Sequence, residues 1–144
     1  MPGYNRHRLF NYIIFIAIVF FFYSENTVHP DIGRILAISL GFYIGTEFVT
    51  PDLDTNSTAY KRWGNLKILM LPYKWTFKHR QSSHNILYGA FVRILYISII
   101  ILAFYYIIFK SLSTGLDISP VYPIIFIFGI ILANALHVLL DNIF

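Results

Sequence analysis

Four long apolar runs, separated by polar stretches, restrict this chain to one kind of architecture. The runs cover residues 9–24, 35–49, 83–109 and 118–140, and only Glu47 and Arg93 carry a formal charge within them. About 20 apolar residues span the hydrocarbon core of a bilayer, so each run can cross a membrane as a helix. Charged residues make up only 12% of the chain, against about 25% in a soluble domain. The sequence therefore predicts an integral membrane protein.

The predicted fold is all-α, a bundle of four transmembrane helices forming one domain over residues 1–144. Gly41 and Gly45 have the small-xxx-small spacing that lets two membrane helices approach closely. Between helices two and three, residues 55–78 contain both tryptophans and five Lys or Arg. Aromatic and basic side chains together suit the headgroup layer, so this segment is predicted to be interfacial. The alternative is a solvated loop with a few packed aromatics.

The first run also fits a second interpretation. Arg6 and Arg8 precede it, as basic residues precede the apolar part of a signal peptide. No small-x-small cleavage site follows the run, however. We therefore interpret it as an uncleaved transmembrane helix.

The basic residues are distributed unevenly between the two sides of the predicted membrane. Four crossings place residues 1–8, the segment 50–82 and the C-terminus on one side, which we call the N-terminal side. That side holds eight Lys and Arg, whereas the opposite side holds only Arg34 and Lys110. Cytoplasmic loops carry an excess of Lys and Arg, so both termini are predicted to be cytoplasmic.

The same topology gathers the candidate metal ligands. Among the histidines only His29 falls on the opposite side. The N-terminal side receives seven side chains able to bind a metal: His7, Asp52, Asp54, His79, His84, His137 and Asp141. We expect His7 to precede helix one, the two aspartates to end helix two, and the remaining residues to lie at the ends of helices three and four.

Two pairs carry the local argument for a metal. His137 and Asp141 are four residues apart and share a helix face, although an ordinary exposed helix end would look the same. Asp52 and Asp54 would point the same way in an extended segment, and their charges would repel without a cation. A plain Pro-Asp-x-Asp turn is the alternative. Since the chain has no cysteine, any ion must be bound by histidine and carboxylate. That set favours zinc, with manganese or iron as alternatives.

Several motifs carry a resemblance to a known family. The segments TPDLD, YKRWG, PYKWTFKHRQSSH and ALHVLLD resemble small membrane proteins described as metal-binding. That family is similar in turn to the YdjM-like membrane-bound metal-dependent hydrolases. The resemblance covers nearly the whole chain and implies that the seven residues above form the metal site.

The predicted function is a metal-dependent hydrolase acting at the cytoplasmic membrane face on a lipid or phosphoester. A bound metal would activate water, and Arg80 and Asp54 are the candidate catalytic residues beside it.

The alternative is a metal-binding membrane protein with a structural or docking role. A metal-free lipid phosphatase is disfavoured, because the chain has no Arg-Pro phosphate motif. Transport is disfavoured because Glu47 is the only midplane acid. The expected partners are membrane lipid and a metal ion, with no nucleic acid.

Overall fold

The computed structural model describes residues 3–24, 31–76, 86–109 and 119–143. These residues form helices and turns, and no strand occurs among them. The helices, in chain order, are α1 (Tyr4–Ser24), α2 (Ile32–Glu47), α3 (Thr58–Arg62), α4 (Leu71–Thr76), α5 (Ile86–Phe109) and α6 (Val121–Ile143). Short 3-10 helices occupy Pro51–Asp54 and Gly64–Met70. Four of the helical segments are long and apolar enough to cross a membrane, which confirms the predicted fold class.

The helix ends differ from the predicted ones for local reasons. Helix α1 begins at Tyr4, so His7 lies within it rather than before it. At the start of α2, the Asp31 side chain accepts a hydrogen bond of 2.7 Å from the Arg34 backbone N–H, which caps the helix. The α-helix ends at Glu47, before Pro51 starts the 3-10 helix.

Helix α6 is the centre of the bundle, since it contacts α1, α2 and α5. Its closest neighbour is α2, and the reason is small residues on both helices, of which Gly41 was predicted from the sequence and Gly129 was not. A Cβ atom at Gly41 would lie 2.0 Å from the Phe126 carbonyl oxygen, and one at Gly129 would lie 2.5 Å from the Ile38 carbonyl oxygen. The two backbones therefore touch directly, which only glycine permits.

The segment 55–76 is a folded cap and not a plain loop. Met70 and Tyr73 are buried in a core cluster with Ile97 of α5 and Ile130 of α6. On the other side of the same segment, large apolar side chains are exposed, namely Leu66, Ile68 and Trp75. The segment thus packs against α5 and α6 while presenting exposed apolar side chains.

Candidate metal centre

Three potential ligands from the two ends of the chain meet at one end of the bundle. His7 comes from the second turn of α1, while His137 and Asp141 come from the last two turns of α6. One ligand atom from each lies within 4.8 Å of the others. The predicted shared face of His137 and Asp141 is confirmed, since His137 Nε2 lies 3.5 Å from Asp141 Oδ2. His7 Nε2 lies 3.2 Å from Asp141 Oδ1.

The two imidazoles are held by burial and by each other. Their rings stack with centroids 3.8 Å apart and planes 9° from parallel. Each histidine is 3% exposed, and the Asp141 side chain is 6% exposed. One turn after His7 in α1, Asn11 is buried on the same face of the helix and donates hydrogen bonds to Thr46 Oγ1 and the Ala133 carbonyl. These contacts fix α1 against α2 and α6, and with them the position of His7.

The spacing of the ligand atoms fits a tetrahedral transition metal. Metal–ligand bonds of about 2 Å place neighbouring ligand atoms of a tetrahedron about 3.3 Å apart. The nitrogen–oxygen distances of 3.2 and 3.5 Å are close to that value, although they involve different oxygens of Asp141. One ligand atom from each of the three residues lies within 4.8 Å of the others. Two imidazoles and a carboxylate are also ligands that zinc accepts. The donor set therefore fits the ion that the sequence predicts.

Asp52 adds a second carboxylate at the rim. Its Oδ2 lies 3.5 Å from His137 Nε2, and its side chain is 25% exposed. The expected extended conformation of this segment is wrong, because Pro51–Asp54 is a 3-10 helix. With three residues per turn, positions two apart diverge instead of aligning. Asp52 lies beside His137, whereas Asp54 is buried at 5% exposure. Neither aspartate belongs to the compact three-residue group.

A polar layer adjacent to the candidate metal ligands surrounds Arg93. This arginine is 1% exposed, and its Nη2 donates a 2.8 Å hydrogen bond to Asn134 Oδ1. Tyr73, Asp54 and Asp52 all lie close enough to interact electrostatically with its charge. Burial raises the pKa of the Tyr73 hydroxyl, while the charge of Arg93 opposes that rise. Arg93 of α5 is thus bonded to α6 through Asn134, which lies three residues before His137.

Glu47, the charged residue in the second apolar run, pairs with arginines of α1 and α3. Its carboxylate is 1% exposed and is bound by Arg8 Nε at 2.9 Å and by Arg62 Nη1. The hydroxyls of Tyr4 and Tyr12 donate hydrogen bonds to the same carboxylate. This cluster lies at the same end of the bundle as His7, and the sequence reasoning missed it.

The polar residues that were missed share a recognisable feature. Asn11 and Asn134 each lie within an apolar run, four residues after His7 and three residues before His137. A polar side chain at helical spacing from a candidate ligand, inside an apolar helix, usually faces the bundle interior. That spacing would have identified both asparagines.

Five residues named in the sequence analysis lie outside the described residues: His29, His79, Arg80, His84 and Lys110. Their assignments stay predictions. Of the seven predicted ligands, the structure brings His7, Asp52, His137 and Asp141 together and places Asp54 in the adjacent polar layer.

Comparisons with known proteins point to metal binding. A family model described as "Uncharacterized metal-binding protein (DUF2227)" matches residues 2–144. An "Uncharacterized protein" of Aquifex aeolicus (strain VF5) is 36% identical over 64 residues, which are 43% of this chain and 45% of that protein. The match therefore spans less than half the length of that relative. No solved structure gives a significant match.

Proposed function

Because the chain belongs to the DUF2227 family of metal-binding proteins, we propose that it is a membrane-bound protein whose ion is held by His7, His137 and Asp141. The observation that carries this proposal is the convergence of three buried ligand atoms within 4.8 Å of one another. Zinc suits two imidazoles and a carboxylate best, and manganese or iron would also accept them. Asp54, His79 and His84 would serve as further ligands of the same ion, as orienting groups, or as part of a second site.

We infer that the site performs metal-dependent hydrolysis. Catalytic zinc sites have three protein ligands and keep one position open, and the His2Asp group supplies such a set. A bound divalent metal would make water a nucleophile at neutral pH. Asp52 Oδ2 lies beside His137 and is reached by solvent, so it is placed to accept a proton from that water.

The position of the site supports a substrate at the membrane. All the gathered ligands are near the ends of membrane-crossing helices, and we therefore propose a lipid or phosphoester at the membrane face as the substrate. Arg80 would hold a phosphate oxygen. The excess of Lys and Arg on the N-terminal side supports a cytoplasmic position for this face and for both termini.

One observation favours a second, non-catalytic function. His7 and His137 are almost fully buried and stacked on each other, and such enclosure would keep a substrate away from an ion held between them. In that case the ion would join α1 to α6 and stabilise the bundle without turnover.

The test is elemental analysis of the full chain purified in detergent, together with its melting temperature. We expect stoichiometric zinc, manganese or iron in the wild-type protein. His137→Ala and Asp141→Asn should each lower the metal content and the melting temperature, because a metal bound only by the folded state stabilises it.

Matched controls come from the predicted opposite side of the membrane. Asp31→Asn and His29→Ala should change neither the metal content nor the response to added metal. If the purified protein carries no metal, and added zinc, manganese and iron leave its melting temperature unchanged, both the metal centre and the hydrolase are wrong. If the protein binds metal but hydrolyses no lipid or phosphoester, the structural role is the one that remains.

A further inference from the structure

The Glu47 cluster, which consists of Glu47 and its partners Arg8, Arg62, Tyr4 and Tyr12, is not electrically neutral. Arg8 and Arg62 both bind the single Glu47 carboxylate, which leaves a net charge of +1. At the other end of α2, the Arg34–Asp31 pair is neutral. Neither Arg8 nor Arg62 pairs with a second carboxylate in the described part of the chain. Their side chains are 47% and 30% exposed, so a solute can reach them.

Both guanidinium groups are held in place before any ligand binds. Arg62 lies 4.9 Å from the centre of the Tyr4 ring, and Arg8 lies 5.9 Å from the centre of the Tyr12 ring. Each group has five N–H donors in a planar fork, and the contact with Glu47 uses only part of them. The remaining donors can bind a phosphate, and their fixed position lowers the entropic cost of doing so.

An apolar groove lies further along α1 than this cluster. It has a volume of about 400 Å³ and is lined by Phe15, Ile16, Val19, Phe20, Tyr23 and Ser39. On α1, Arg8, Tyr12 and Phe15 follow one another at helical spacing, so the groove lies on the face that carries the arginine. At 1.5 Å per residue, it begins roughly 10 Å from Arg8 and extends to roughly 20 Å. A second cavity of about 500 Å³, lined in part by Tyr4 and Arg6, opens beside the cluster.

We propose that this surface binds an anionic phospholipid. The phosphate lies between Arg8 and Arg62, an acyl chain lies in the groove between α1 and α2, and the headgroup occupies the cavity beside Tyr4. The net positive charge selects anionic over zwitterionic lipids, because a zwitterionic headgroup brings its own cation. This binding is independent of the metal centre and of the proposed hydrolysis.

The experiment uses the full chain in detergent, as purified and in parallel after treatment with a chelator, so that any contribution of the metal site is seen separately. Phosphatidylglycerol, phosphatidylcholine and inorganic phosphate are titrated in parallel, and binding is followed by native mass spectrometry and by the melting temperature. We expect phosphatidylglycerol to bind most tightly and to raise the melting temperature. Inorganic phosphate, which lacks acyl chains, should bind much more weakly.

Two variants separate the parts of the site. Arg62→Gln should weaken phosphatidylglycerol binding about tenfold, the loss expected when a charge-assisted contact is removed. Arg34→Gln is the matched control and should change nothing. Because Arg62→Gln also affects Glu47, Val19→Trp tests the groove separately. It should reduce lipid binding without changing the melting temperature of the lipid-free protein.

Three results would each overturn the proposal. The first is equal binding of phosphatidylglycerol and phosphatidylcholine. The second is binding of inorganic phosphate as tight as that of the lipid. The third is unchanged lipid binding in both Arg62→Gln and Val19→Trp.

Discussion

At the scale of single residues, replacing the small side chain of Asn134 should markedly lower the free energy of unfolding. It is fully buried, accepts a 2.8 Å hydrogen bond from Arg93 and donates one of 2.7 Å to the Ile130 carbonyl. Asn134→Ala removes one acceptor from a buried positive charge. Hydrogen bonds to charged groups contribute about 1.5–3 kcal/mol, and we expect a loss of that size in the free energy of unfolding.

Denaturation in detergent measures this loss, and Asn5→Ala is its control. Asn5 is an exposed asparagine in α1, so its replacement should change stability little. The metal content should also fall in Asn134→Ala, because Arg93 holds α5 against α6 close to His137. Equal stabilities of the two variants would show that the Arg93–Asn134 contact does not hold these helices together.

At the scale of elements, the contact between α2 and α6 depends on having no side chain at Gly129. A Cβ there would lie 2.5 Å from the Ile38 carbonyl oxygen and 2.8 Å from the Phe42 backbone nitrogen. Gly129→Ala should therefore push the helices apart. We expect it to lower the free energy of unfolding by roughly 1–3 kcal/mol, the usual effect of overpacking. Since His137 and Asp141 lie further along the same helix, metal affinity should fall as well.

A melting curve and a metal titration test this prediction together. Gly3→Ala is the matched control, since a Cβ at Gly3 would have nothing within 4 Å. A Gly129→Ala protein as stable as the wild type, with unchanged metal affinity, would contradict the close packing.

The cap formed by residues 55–76 is the second element with a testable position. Trp75 is 77% exposed and lies on the same segment as exposed Leu66 and Ile68, whereas Trp63 donates a 3.2 Å hydrogen bond to the Phe48 carbonyl. Nearby Lys and Arg attract anionic headgroups by about 1 kcal/mol each. We expect shallow lipid-attached quenchers to quench Trp75 fluorescence in a Trp63→Phe protein. Quenching by aqueous iodide alone would indicate a solvated loop.

At the scale of the whole molecule, the charge distribution predicts its orientation. Eight Lys and Arg on the N-terminal side against two on the other predict cytoplasmic termini. Reporter fusions at residues 28 and 114 should read external, and fusions at residue 60 and at the C-terminus should read internal. A fusion at residue 60 that reads external while the C-terminal fusion reads internal would be incompatible with four crossings and with a ligand set on one face.

The sequence by itself determined the features that depend on local pattern. Hydropathy alone predicted four long helices, because burial in a bilayer needs only a long apolar run. The Gly41–Gly45 spacing predicted a close helix contact, and the four-residue spacing of His137 and Asp141 predicted their shared face. Both follow from the helical repeat, which is the same wherever a helix forms.

Only the tertiary structure decided which polar groups meet. His7 stacks on His137 from the other end of the chain, Arg93 bonds Asn134 rather than Glu47, and Glu47 binds two arginines. Asp52 and Asp54 diverge because Pro51–Asp54 folds as a 3-10 helix. A buried polar group binds whichever partner the packed helices bring within hydrogen-bond reach, and that depends on helix rotation and approach, which no local spacing encodes.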